Sequence, residues 1–83
     1  MSLEFKKNQV HFKDMVGVED AEELLEWLQK TPAAKVDFSA CTHLHPANLQ
    51  VLMAASPSIM VWPADAAFSA WLQSALDQHE DPY

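Results

Sequence analysis

The sequence predicts an α/β domain: a four-stranded mixed sheet with three helices mainly on one face. Three observations carry this. Apolar and polar residues alternate at 3–13 and 35–39, apolar residues recur with helical spacing at 21–28 and 68–76, and the segments follow the order strand, strand, helix, strand, helix, strand, helix. Right-handed crossovers then make the last three strands parallel and bring successive helices to one side of the sheet.

Leu3 and Phe5, then Val10 and Phe12, alternate with Glu4, Lys6, His11 and Lys13, and Lys7-Asn8 turns the chain back between them, giving two antiparallel strands. Gly17 supplies a joint before the first helix. Asp20 with Glu23 three residues later forms a capping-box-like start, in which the Asp carboxylate accepts from a free N–H of the first turn. The helix runs to about Lys30, with Ala21, Leu24, Leu25 and Leu28 as its buried stripe and Trp27 on the flank, either partly covered or facing a partner. Thr31-Pro32 stops it, because a residue before proline avoids helical geometry.

Val36 and Phe38 alternate with Lys35, Asp37 and Ser39 in a third strand that ends near Ala40. Pro46 then suits the first turn of a second helix, read as amphipathic with Leu49, Leu52 and Met53 as its core stripe and an end near Ser56-Pro57. Ile59–Trp62 is a short apolar run fenced by prolines, a fourth strand. Pro63-Ala64-Asp65 opens a last helix carrying Phe68, Trp71, Leu72, Ala75 and Leu76, and residues 77–83 read as a frayed tail.

Eighty-three residues feed one core, so residues 1–83 are expected to form a single domain. No apolar run reaches the roughly 18 residues of a membrane span, and MSLEFKKNQ is not a signal peptide, so no direct membrane insertion and a cytoplasmic location are expected. Cys41 is the one cysteine, which excludes an internal disulfide. Twelve acidic against five basic residues give a formal charge of −7, which repels a phosphate backbone and argues against nucleic-acid binding.

The chemistry-bearing stretch is THLHPANLQVLMAA, residues 42–55. Cys41, His43 and His45 alternate, so in a regular strand they point the same way and offer a weak metal-ligand set. Ser39, Asp37 and a histidine lie too close in sequence for triad geometry, and the single glycine forms no phosphate-binding loop, so no catalysis and no cofactor are expected. The second helix's N-terminus is an ordinary place for an anion, but Pro46 removes one N–H donor and no Ser, Thr or Asp stands at the tip to be modified.

KVDFSACTHLHPANLQVLMAA resembles the core of STAS domains, the sulfate transporter and anti-sigma factor antagonist family. Val36-Asp37-Phe38-Ser39 matches the family's strand, Leu44 the apolar residue before its motif, and Leu49, Val51, Leu52 and Met53 the helix behind it. Ala21-Glu22-Glu23-Leu24-Leu25 resembles the family's first helix, and the likeness extends loosely over residues 10–76. The departures fall at the tip: His45 replaces an acidic residue, Pro46 the phosphorylatable Ser or Thr, and Ala47-Asn48 a small residue and glycine.

The resemblance implies a bacterial, cytoplasmic, regulatory interaction module that works without serine phosphorylation. It docks through Thr42, His43, Leu44, His45, Pro46, Ala47 and Asn48, with Trp27 as a further contact. Family partners are anti-sigma kinases and transporter ATPase subunits, and the acidic surface is expected to guide a basic partner. Two other readings stand beside it: a metal- or ligand-responsive protein using Cys41, His43 and His45, and a structural subunit forming a homodimer through its polar sheet face or an exposed stripe.

Overall fold

Val10, Phe12 and Val16 project from one side of a single strand, and the rest of the molecule is arranged to keep them dry. The computed structural model describes residues 2–80, and side-chain surroundings over residues 2–76. The elements are β1 (Leu3–Phe5), β2 (Gln9–Val16), a 3₁₀ turn (Val18–Asp20), α1 (Ala21–Lys30), β3 (Lys35–Leu44), α2 (Pro46–Ala55), β4 (Ser58–Val61) and α3 (Ala66–Glu80). The sheet order is β1-β2-β3-β4. β1 runs antiparallel to β2, while β2, β3 and β4 are parallel, as the crossover argument requires.

α1 packs on α2 and α2 on α3. Leu24, Leu28, Leu52 and Leu72 from these helices join Leu3, Val10, Phe12, Val16, Val36, Phe38, Cys41 and Leu44 from the strands in one buried cluster. Each fully buried Leu or Phe contributes about 1.5–3 kcal/mol over its exposed state. Phe12 and Phe38 lie at its centre with ring centroids 4.8 Å apart, and Phe38 continues into Trp62 at 6.4 Å. The Cα radius of gyration is 11.7 Å, matching the roughly 12 Å of a single domain this size.

Several local details differ from the sequence reading. Asp20 does not cap α1 through its side chain; Oδ2 accepts from Gly17 N–H at 3.3 Å, closing the 3₁₀ turn instead. In α2 the buried side chains are Asn48 and Leu52, one turn apart, while Leu49, Val51 and Met53 are half-buried. In α3, Leu72 is buried and Trp71 is 48% exposed, stacked on Phe68 at 6.1 Å. The helix runs to Glu80, past the start of the expected tail, and residues 81–83 lie outside those described. Among the described residues no helix is long and apolar enough to cross a membrane.

The face of the sheet away from the helices carries Glu4, His11, Asp37 and Val61 as successive register partners across all four strands. Glu4 also pairs with Lys13 at 2.8 Å in a half-exposed ion pair, a contact of little energetic weight. Asp37 is different because it is buried: its Oδ1 accepts from Ser39 N–H at 2.7 Å and its Oδ2 faces His11 Nδ1 at 3.6 Å. Burial opposes ionisation of Asp37, but hydrogen bonding from Ser39 and the neighbouring His11 outweigh it and hold the carboxyl below its ordinary range.

Folding therefore favours the charged form of Asp37. Its contribution is complete above the unfolded carboxyl value of about 4 and is lost as the pH falls through the lower folded value. Chemical denaturation of wild type and Asp37→Asn across this range is expected to show the widest stability gap near neutral pH and convergence on the acid side of about pH 4. A gap that stays constant or widens in acid contradicts this role.

Candidate functional site

The candidate site lies where β2 and β3 end and α2 begins, at the carboxyl ends of parallel strands, which is where open α/β sheets most often receive ligands. β3 does not stop near Ala40 but continues to Leu44, and it does so irregularly. Between His11 and Lys13 of β2 the partner strand advances from Asp37 to Ala40, and between Asp14 and Met15 it advances from Cys41 to His43. Each step places one extra residue in β3. Asp14, beside the second step, adopts φ 54°, a left-handed conformation that Asp tolerates better than most residues.

Those two insertions decide which side chains face the core. A regular strand starting from Val36 and Phe38 would turn Ala40 and Thr42 inward. The bulged one turns Cys41 and Leu44 inward, each 3% exposed, and leaves Thr42 and His43 in solvent. Cys41 Sγ donates to the His43 carbonyl at 3.5 Å, and burial pushes its thiol pKa up to about 11. Cys41 and His43 therefore face opposite ways, which overturns the shared orientation that the metal reading required. Among the described residues no three His, Cys, Asp or Glu side chains come together as a metal-ligand set.

His45 is the N-cap of α2: at φ −67°, ψ 142° its imidazole Nδ1 accepts from Ala47 N–H at 3.0 Å. A histidine thus does the work usually given to Ser, Thr, Asp or Asn. The remaining donors of the first turn are also committed. Pro46 has none, and the Asn48 and Leu49 N–H groups both donate to the His45 carbonyl, at 2.9 and 3.3 Å. The tip therefore has no free N–H to offer an anion, in line with the loss of a donor at Pro46.

Asn48 is a clamp, not a contact residue. It is fully buried, and its Nδ2 donates to the carbonyls of Val16 at 3.4 Å and Gly17 at 2.7 Å, tying the end of β2 to the first turn of α2. Val16 O also accepts from His45 N–H at 2.9 Å, so three bonds fix this junction. A glycine here, as in the STAS pattern, has no such side chain.

The sequence-predicted contact residues therefore separate. Thr42, His43 and Pro46 are exposed, His45 and Ala47 half-buried, and Leu44 and Asn48 inside. Leu44 is not the uncovered apolar group expected of it. Trp27 lies elsewhere: its ring is 5.3 Å from Phe5, which pairs with Val10 near the start of β2, six residues from Val16. That is roughly 20 Å along the strand from the α2 tip.

Two residues that the alternation did not single out belong to this pole. Met15 is 65% exposed and pairs across the strands with His43; Val18, in the 3₁₀ turn that packs against α2, is 56% exposed. The available signal is the run Met15-Val16-Gly17-Val18, in which Met15 falls on the outward register of β2 and Val18 lies past the glycine that ends the alternation. Behind them α2 is apolar on nearly every side, with Ala54 and Ala55 exposed, contrary to its reading as amphipathic. Residues 38–64 contain no Lys, Arg, Asp or Glu, so the β3 and α2 side of this pole is uncharged, while Asp14 and Glu19 are exposed beside Met15 and Val18 on the β2 side.

No protein-family model, curated protein or solved structure matches the chain.

Because the imidazole caps α2, His45→Ala is expected to cost about 1 kcal/mol, a fall in melting temperature of about 4–8 °C. His45→Asp keeps an acceptor and places a negative charge at the helix start, so it should melt at or above wild type. Equal losses in both variants by thermal denaturation contradict the cap.

Proposed function

We propose that this chain is a non-catalytic protein-interaction module, built like a STAS domain, that docks a partner through the pole formed by the end of β2, the end of β3 and the start of α2. The observation that carries the reading is the exposure of Met15 and Val18 beside Thr42, His43 and Pro46 on a backbone held in place by Asn48 and His45. Exposed apolar side chains on a rigid, polar-rimmed site are what a protein interface needs. Of catalytic geometry there is little support: Ser39 donates its backbone N–H to Asp37 with no histidine among the described residues placed to act as its base, and the cysteine is buried and poorly acidic.

The contact chemistry favoured here is apolar and shape-based. Residues 38–64 carry no acidic residue, while the exposed Asp14 and Glu19 flank Met15 and Val18, so charge steers a partner from a distance and rims the apolar contact on the β2 side. The STAS resemblance supplies the partner class, an anti-sigma-type kinase or a transporter ATPase subunit, and Pro46 at the family's phosphorylation position makes docking independent of phosphorylation.

The test is capture with wild-type bait, identification of the bound protein as a kinase or ATPase, and titration of the purified pair by calorimetry. Met15→Glu and Val18→Glu, at exposed positions, are expected to fold normally and each weaken binding at least about tenfold, the scale of a lost interface contact worth over 1 kcal/mol. Leu44→Glu is the wrong probe, since it buries a charge and unfolds the domain. Unchanged affinity in both surface variants overturns the assignment of this pole.

A further inference from the structure

The two edges of the sheet are protected very differently. β1 is three residues long, its Glu4 is paired with Lys13, and Lys6 and Lys7 follow directly, so that edge carries the charges that discourage strand addition. β4, Ser58–Val61, has no charged residue and ends only where Pro57 and Pro63 stop it. Met60 and Val61 are 41% and 38% exposed. Ser58 N–H donates to the Ala34 carbonyl on the β3 side, so the pleat turns the backbone groups of Ile59 the other way, toward the open edge. Among the described residues, Ile59, Met60 and Val61 make no backbone hydrogen bond outside the sheet ladder.

We propose that β4 is a self-association edge, pairing antiparallel with β4 of a second copy across a two-fold axis to make a continuous eight-stranded sheet. The charge distribution selects a second copy as occupant. Two chains of −7 repel, yet the acid-free run 38–64 lets this edge approach its own image with neutral residues on both sides. A basic partner strand, which the net charge would otherwise favour, finds no carboxylate on β4 to pair with. The contact is isologous: the apolar Ile59, Met60 and Val61 of one copy meet the same three residues of the other, and the prolines at either end fix the overlap at about four residues. Because β4 and the β2–β3–α2 pole are different surfaces, this association and partner docking stand or fall separately.

Sedimentation of the full chain over a roughly thousandfold concentration range is the test, since self-association is concentration-dependent. The mass is expected to rise from 9.3 kDa toward twice that value. Met60→Lys, at an exposed position, is expected to hold the mass at the monomer value with an unchanged circular dichroism spectrum, whereas Glu4→Lys at the opposite edge leaves association intact. In wild type, the Ile59 amide is expected to exchange at least about tenfold more slowly at the high end of the range than at the low end. This readout needs no variant. A monomer throughout, or a dimer indifferent to Met60→Lys with concentration-independent exchange at Ile59, overturns the proposal.

Discussion

The organisation of this domain depends on two extra residues in β3. A strand has a period of two, so one inserted residue reverses the direction of every side chain after it. The first insertion moves Cys41 into the core and the second brings in Leu44 in place of His43. Without them Ala40 and Thr42 would turn inward and Cys41 outward, while Leu44 would keep its inward direction but lose its place opposite Val16. The inward set on β3 becomes Val36, Phe38, Cys41 and Leu44, spaced by two, three and three. His43 stays outward, as it would in a regular strand, while Cys41 no longer shares its side.

That geometry produces a rigid pole rather than a reactive one. Every donor in the first turn of α2 is used within the chain, by the His45 imidazole and by the His45 carbonyl. Asn48 and the His45 amide both bond the Val16 carbonyl, so the end of β2 and the start of α2 are held as a single unit. Rigid elements presenting exposed apolar groups lose little conformational entropy when a partner arrives. The concentration of all formal charge outside residues 38–64 leaves that region dependent on packing and backbone hydrogen bonds.

The architecture is legible in the sequence because it rests on periodicity. Val10 and Phe12, Leu24 and Leu28, and Val36 and Phe38 each keep the period of their element, and the parallel run of the last three strands follows from connection rules. The site is legible in position but not in orientation. Residues 41–48 mark a strand-to-helix junction, yet a bulge leaves no composition signal, so Leu44 and Asn48 read as surface and Met15 and Val18 do not stand out. Asn48 follows the i, i+4 spacing with Leu52, but a polar residue on an inward face is recognisable only once its acceptors, Val16 and Gly17, are in place. The STAS likeness points to the same junction and stays a proposal about partners.

The inward turn of Cys41 is the most direct consequence of the bulged strand, and its thiol can be watched without altering the chain. Labelling with a chromogenic disulfide at neutral pH is expected to proceed only as fast as the domain opens, because the sulfur is buried and its pKa is raised to about 11, with full reactivity appearing in denaturant. Native-state labelling at the rate of a free exposed thiol would contradict the account, as would protection conferred by zinc and removed by a chelator.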